Sequence, residues 1–276
     1  MIEPEPGPSP RGLSERLRLH RRVVRQDGRQ YQVISLRNAD PVRFSVEPDL
    51  SGHLYPLIRS DLAGTRLLGR LLWGLSYQPY PNTVLVLDPG HVVGNPDDGG
   101  PSPIVVFGVA VRTVLSPALL RRLRQPGLWR SPSSGTVGWN TAGLPAALAE
   151  RAVPSGAEPP VRVAEWPEAQ VHPTESVVSV LAAPGRYRDW AKSIMSAGDH
   201  WYQGESCTEP AWGTSGIDVH AVRHFDRLVS TAAQARSEVL ADGRPDPADL
   251  SRRVRERREL VSARHPGPWD AADTVR

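Results

Sequence analysis

Hydrophobic and polar residues alternate across the first ordered-looking stretch of the chain. Leu17, Leu19 and Val23 precede Asp27-Gly28, and Tyr31 and Val33 follow it at two-residue steps. That period predicts a β-hairpin, because an Asp-Gly pair tolerates the positive φ of a tight turn. A helix begun at Ser14-Glu15 and running over 14–26 is the rival reading. After the Asp40-Pro41 break, 42–47 reads as a third half-buried strand.

The period then changes. Leu57, Ile58, Leu68, Leu71, Leu72 and Leu75 recur at three- and four-residue steps, which predicts a helix over 53–76. Ser60-Asp61 offers a later start, and Tyr77 to Pro81 ends it. Two continuous apolar runs, 83–88 and 104–111, predict strands buried on both faces. The Gly-, Pro- and Asp-rich loop between them has no helical pattern, so they should be antiparallel neighbours. Ser116-Pro117 opens a short helix that Pro126-Gly127 follows.

Residues 126–160 are rich in Gly, Pro and Ser, with one short helix over 145–151. Strands are expected near 161–166 and 176–182, and a helix over 187–197. The clearest helix spans 218–240, where Ala221, Phe225, Leu228, Ala232, Ala235 and Val239 make a four-three stripe. That stripe suits a core helix or an interface. Asp246-Pro247 starts a last helix that runs through Ser262.

Together these elements predict an α+β fold: a mainly antiparallel sheet with packed helices and a helical C-terminal part. The helices 53–76 and 116–125 are expected on one side of the sheet. The expected divisions are a tail at 1–13, an α+β half at 14–152, a linker-like stretch at 153–160, a second α+β half at 161–264 and a tail at 265–276. A chain of 276 residues is long enough to bury a core without staples.

Composition tempers any reading of the cations. Lys192 is the only lysine among 33 Lys and Arg residues, and 28 prolines and 24 glycines accompany it. Arg, Ala, Gly and Pro share GC-rich codons, which points to a GC-rich bacterial genome of actinobacterial type. Arginine clusters are thus partly mutational background. The formal net charge of +3 exerts no strong pull on nucleic acid or anionic membrane. Cys207 is the single cysteine, so no intrachain disulfide forms. No apolar leader or long apolar run is present, and a cytoplasmic location without membrane contact is the expectation.

The densest set of reactive groups lies at 199–224. His200, Trp201, Tyr202 and Trp212 resemble the lining of a ligand pocket, since aromatic and imidazole groups suit small-molecule contact. Cys207, His220 and His224 match the second half of a zinc-finger spacing. On a helix, His220 and His224 would share one face, so these three are the candidate zinc ligands. Glu205 is the candidate general base beside that metal, and Cys207 a candidate nucleophile. The competing explanation is that the tryptophans anchor a loop and the polar groups are solvated. Asp88, His91, Asp97 and Asp98 follow a predicted strand, and turn chemistry alone accounts for them. Arg16, Arg18, Arg21, Arg22, Arg25 and Arg29 are candidate phosphate contacts on the hairpin. No dinucleotide-binding or P-loop motif is present. The leading expectation is therefore a binding or assembly protein with a protein partner and no catalytic motif. A metal-assisted hydrolase and a nucleic-acid binder are the rivals.

Overall fold

The computed structural model describes residues 16–47, 56–151, 169–174, 176–197, 205–208, 217–243 and 245–264. The elements run in the order β1 (Arg16–Gln26), β2 (Arg29–Ser35), β3 (Ser45–Glu47), β4 (Leu57–Ser60), α1 (Leu62–Ser76), β5 (Thr83–Leu87) and β6 (Ile104–Val109). There follow α2 (Pro117–Leu123), α3 (Pro126–Arg130), β7 (Gly135–Asn140), α4 (Leu144–Arg151), β8 (Gln170–Pro173), β9 (Val177–Ala182), α5 (Pro184–Met195), β10 (Glu205–Thr208), β11 (Asp218–Val222), α6 (Phe225–Ala241) and α7 (Pro247–Arg264). The expected strand near 161–166 lies outside the described residues.

The fold is α+β, and its two sheets are mixed. One has the order β7-β1-β2-β5-β6-β9-β8, the other β10-β11-β4-β3. The expected hairpin forms, with Gln26 opposite Arg29 and both Asp27 and Gly28 at positive φ. β5 and β6 are antiparallel neighbours, as the loop between them implied. The β2–β5, β6–β9 and β4–β11 ladders are parallel, however, so a mainly antiparallel sheet understates the crossovers.

Period-two alternation in the central strands builds two apolar layers. Leu85, Leu87, Val105 and Phe107 meet Leu68 and Leu71 of α1 and Trp190 and Ile194 of α5. Val84, Val86, Ile104 and Val106 meet Leu119 and Leu123 of α2 on the other face. Helices α1 and α2 thus cover opposite faces, not one side as expected. Continuous apolar runs demand this, because a strand apolar on both faces needs cover on both.

Three further expectations are corrected. The first helix begins at Leu62, because Asp61 caps it by accepting from the Gly64 N–H at 2.7 Å, and 57–60 pairs as a strand. The 42–47 strand shrinks to β3 and joins the second sheet instead of the hairpin. The long helix over 218–240 is a strand followed by a helix that starts at Phe225. Its stripe is covered from within: Ala235 and Val239 pack on Val254 and Val261 of α7. The parts on either side of 153–160 share both sheets, through β6–β9 and β4–β11. Among the described residues, no helix is long and apolar enough to cross a membrane.

Candidate functional site

The sequence-derived candidates are not all brought together. His200, Trp201, Tyr202 and Trp212 lie outside the described residues. Glu205 and Cys207 belong to β10, whose register sets Cys207 opposite His220 and Glu205 opposite Val222. His220 lies in β11, and His224 is the N-cap of α6 with φ of 57°. The two histidines therefore do not stand one helical turn apart, and the geometry that suggested a shared metal is lost. Among the described residues, no three His, Cys, Asp or Glu groups converge.

The hairpin arginines are divided between the faces of β1. Arg16, Arg18 and Arg22 fall on one face by alternation, and Arg21 and Arg25 on the other. Arg29 is exposed at the start of β2. Arg22 turns inward, correcting its place among exposed phosphate contacts. It donates to Ser35 Oγ at 3.2 Å and to the carbonyls of Trp129 and Ser131, and it stacks 5.2 Å from the Trp129 ring centre. It holds α3 to the sheet. The six do not form one exposed row.

Where parallel strands β2 and β5 end, a buried polar knot forms. Asp88 and His91 are only 4% and 2% exposed. Asp88 Oδ1 accepts from the Gly90 N–H at 2.8 Å and faces His91 Nδ1 at 3.2 Å. His91 Nε2 faces the Arg37 carbonyl at 3.0 Å. Both ring nitrogens are thus engaged within the protein, one with a carboxyl oxygen and one with a backbone carbonyl. The knot ties two loops together, and Phe44 and Val93 complete the tie with paired backbone hydrogen bonds to His91 and Phe44.

His20 lies beside this knot. Burial lowers its affinity for a proton, and the nearby Arg22 and Arg37 charges add to that against the opposing pull of Asp88 and Asp40. The unfolded imidazole titrates near 6.5. Stability that depends on neutral His20 is therefore whole above that pH and is lost as pH falls through the depressed folded value. Melting of wild type should fall more steeply than that of His20→Gln between about pH 7 and pH 5. Parallel curves would refute this.

Asp97 and Asp98 belong to the β5–β6 connection and dock α7. Burial works to raise the Asp97 carboxyl, but Arg59 and Arg258 hold it below the usual range. Arg59 Nη1 reaches Asp97 at 2.6 Å, and Arg258 at 3.2 Å. Ser251 donates to Asp98 at 2.7 Å. These contacts explain both carboxylates structurally.

The opposite end of the sheet is different in character. The α1–β5 turn exposes Tyr77 and Tyr80, and the β6–α2 connection exposes Val111 and Val114. The two loops are joined: the Asn82 N–H donates to the Arg112 carbonyl at 2.9 Å, and Arg112 Nη1 to the Gln78 carbonyl at 2.7 Å. Val111 is 74% exposed. Arg188 of α5 stacks 5.4 Å from the Tyr77 ring centre. Sequence reading missed this face, because Tyr77 and Tyr80 were absorbed into a helix-stop signal. No family model, curated protein or solved structure matches the chain.

Proposed function

We infer that this is a binding or assembly protein that meets a protein partner at the sheet end carrying Tyr77, Tyr80, Val111 and Val114. What supports this reading is the exposure of two tyrosines and two valines on adjoining, hydrogen-bonded loops. Apolar groups scattered singly need no explanation, but grouped ones with a polar rim suit partner contact. Tyrosine adds contact area at low entropic cost, and Arg112 and Arg188 supply the rim. The loops are held by backbone bonds, so little ordering would accompany association.

The test places a photo-crosslinking residue at Tyr80 and, as a control, at exposed Leu260 of α7, in the cells that make the protein. A discrete adduct from position 80 alone is expected. It should disappear when Val111→Ser is added, with melting unchanged within the roughly 0.5 kcal/mol usual for surface changes. No adduct at 80, or the same adduct at 260, rejects the reading.

A further inference from the structure

The geometry points to an oxyanion site at the start of α5, taking a phosphate or carboxylate group. Three sets of donors belong to the first two turns of α5, with no acceptor among the described residues. First, α5 begins without a side-chain cap: Ala183 is its N-cap and Pro184 its first residue. The first-turn N–H groups of Gly185 and Arg186 therefore lack the partner that Ser116 or Asp61 provides elsewhere in the fold. Second, Arg186 is only 6% exposed, makes no hydrogen bond or ion pair to a described residue, and has a sealed, unpartnered Nε. Third, Trp190 is 1% exposed, and its Nε1 is likewise buried without a partner.

Arg186 and Trp190 stand four residues apart, so they share one side of the helix. Helical side chains lean toward the N-terminus, which aims Arg186 at the uncapped turn. Sealing a guanidinium Nε without an acceptor costs the bond that water would make to it. A bound oxyanion removes that cost, accepting from the arginine fork, the indole N–H and the two backbone N–H groups together. The site also lies past the carboxyl end of a parallel strand: β9 pairs with β6 in parallel, and the Ala110 N–H reaches the Ala182 carbonyl at 3.0 Å. Such strand ends are where ligands settle in parallel sheets. The inference does not depend on the tyrosine face, whose variants leave these donors intact.

The experiment measures melting and calorimetric binding with sodium phosphate and with sodium acetate, each against sodium chloride at equal ionic strength. Wild type should be stabilised by phosphate, acetate or both, beyond chloride; the preferred anion identifies the ligand class. Arg186→Met should melt in chloride no lower than wild type, because it removes a buried donor that has no partner, and should lose the anion response. Trp190→Phe keeps the ring and deletes one donor, and should weaken binding about tenfold, the loss of one charge-assisted hydrogen bond. Three results each overturn the site: neither anion exceeding chloride, an undiminished response in both variants, or an Arg186→Met protein that melts well below wild type, which would mean the cation already has an internal partner.

Discussion

Replacing His91 with leucine should cost about 3–5 kcal/mol of folding stability, the range for removing one partner of a buried pair. Leucine matches the ring in bulk, so packing changes little. What changes is the electrostatics. Asp88 keeps its bond from the Gly90 N–H but loses the imidazole that faces it, inside a region where it is 4% exposed. The Arg37 carbonyl loses its partner as well. An unsatisfied buried acceptor costs about 1–3 kcal/mol, and an unpaired carboxylate more. Urea denaturation of His91→Leu should show the shift in midpoint. The double variant Asp88→Asn/His91→Leu should recover part of the loss, because no charge then remains buried. If the double variant is worse than the single by the full Asp88→Asn cost, the two groups act independently and the knot is not a pair.

The sequence reveals this fold best where a local signal acts alone. The Asp27-Gly28 turn, the Ser116-Pro117 start and the apolar runs of β5 and β6 each carry their own chemistry, and each forms as read. It misleads where a segment's fate depends on remote partners. Leu57-Ile58 fits a helical stripe as well as a strand; the β3 and β11 ladders decide it. β11 itself was merged into the following helix, because Ala221 and Phe225 keep a four-residue step across the break at His224. β7 carries two glycines and an asparagine in six residues and reads as loop, yet its pairing with β1 makes it a strand. The candidate chemistry was less legible still. Much of 199–224 lies outside the described residues, and His220 and His224 fall on different elements. The donors at α5 escaped notice because alanine is no capping residue, so Ala183-Pro184 did not register as a helix start although Pro184 occupies the favoured first position. A missing cap is itself a signal only when the buried arginine behind it is known.

Gly74→Ala should destabilise the protein by about 2–4 kcal/mol, although alanine is the better helix former. In an exposed helix the exchange would gain about 1 kcal/mol. Here the added Cβ would lie 2.1 Å from Trp139 Nε1 and 2.4 Å from its Cδ1, a rigid ring with no flexible end to swing aside. Trp139 is fully buried and donates from that nitrogen to the Leu71 carbonyl at 3.0 Å. Displacing it adds an overpacking cost of about 1–3 kcal/mol. It also strands the indole N–H, at about 1–3 kcal/mol more. Those two terms exceed the helix gain. Because Trp139 is the inward residue of β7, opposite Leu17, its displacement loosens that edge strand from β1 as well. Denaturant melts followed by tryptophan emission should register both effects. Gly127→Ala is the control, since nothing lies within 4 Å of the Cβ it would add in α3. In a Trp139→Phe background, where the pyrrole ring is gone, Gly74→Ala should lose most of its cost. An equal cost in both backgrounds would mean that the helix backbone at Gly74, and not the indole above it, is what the glycine serves.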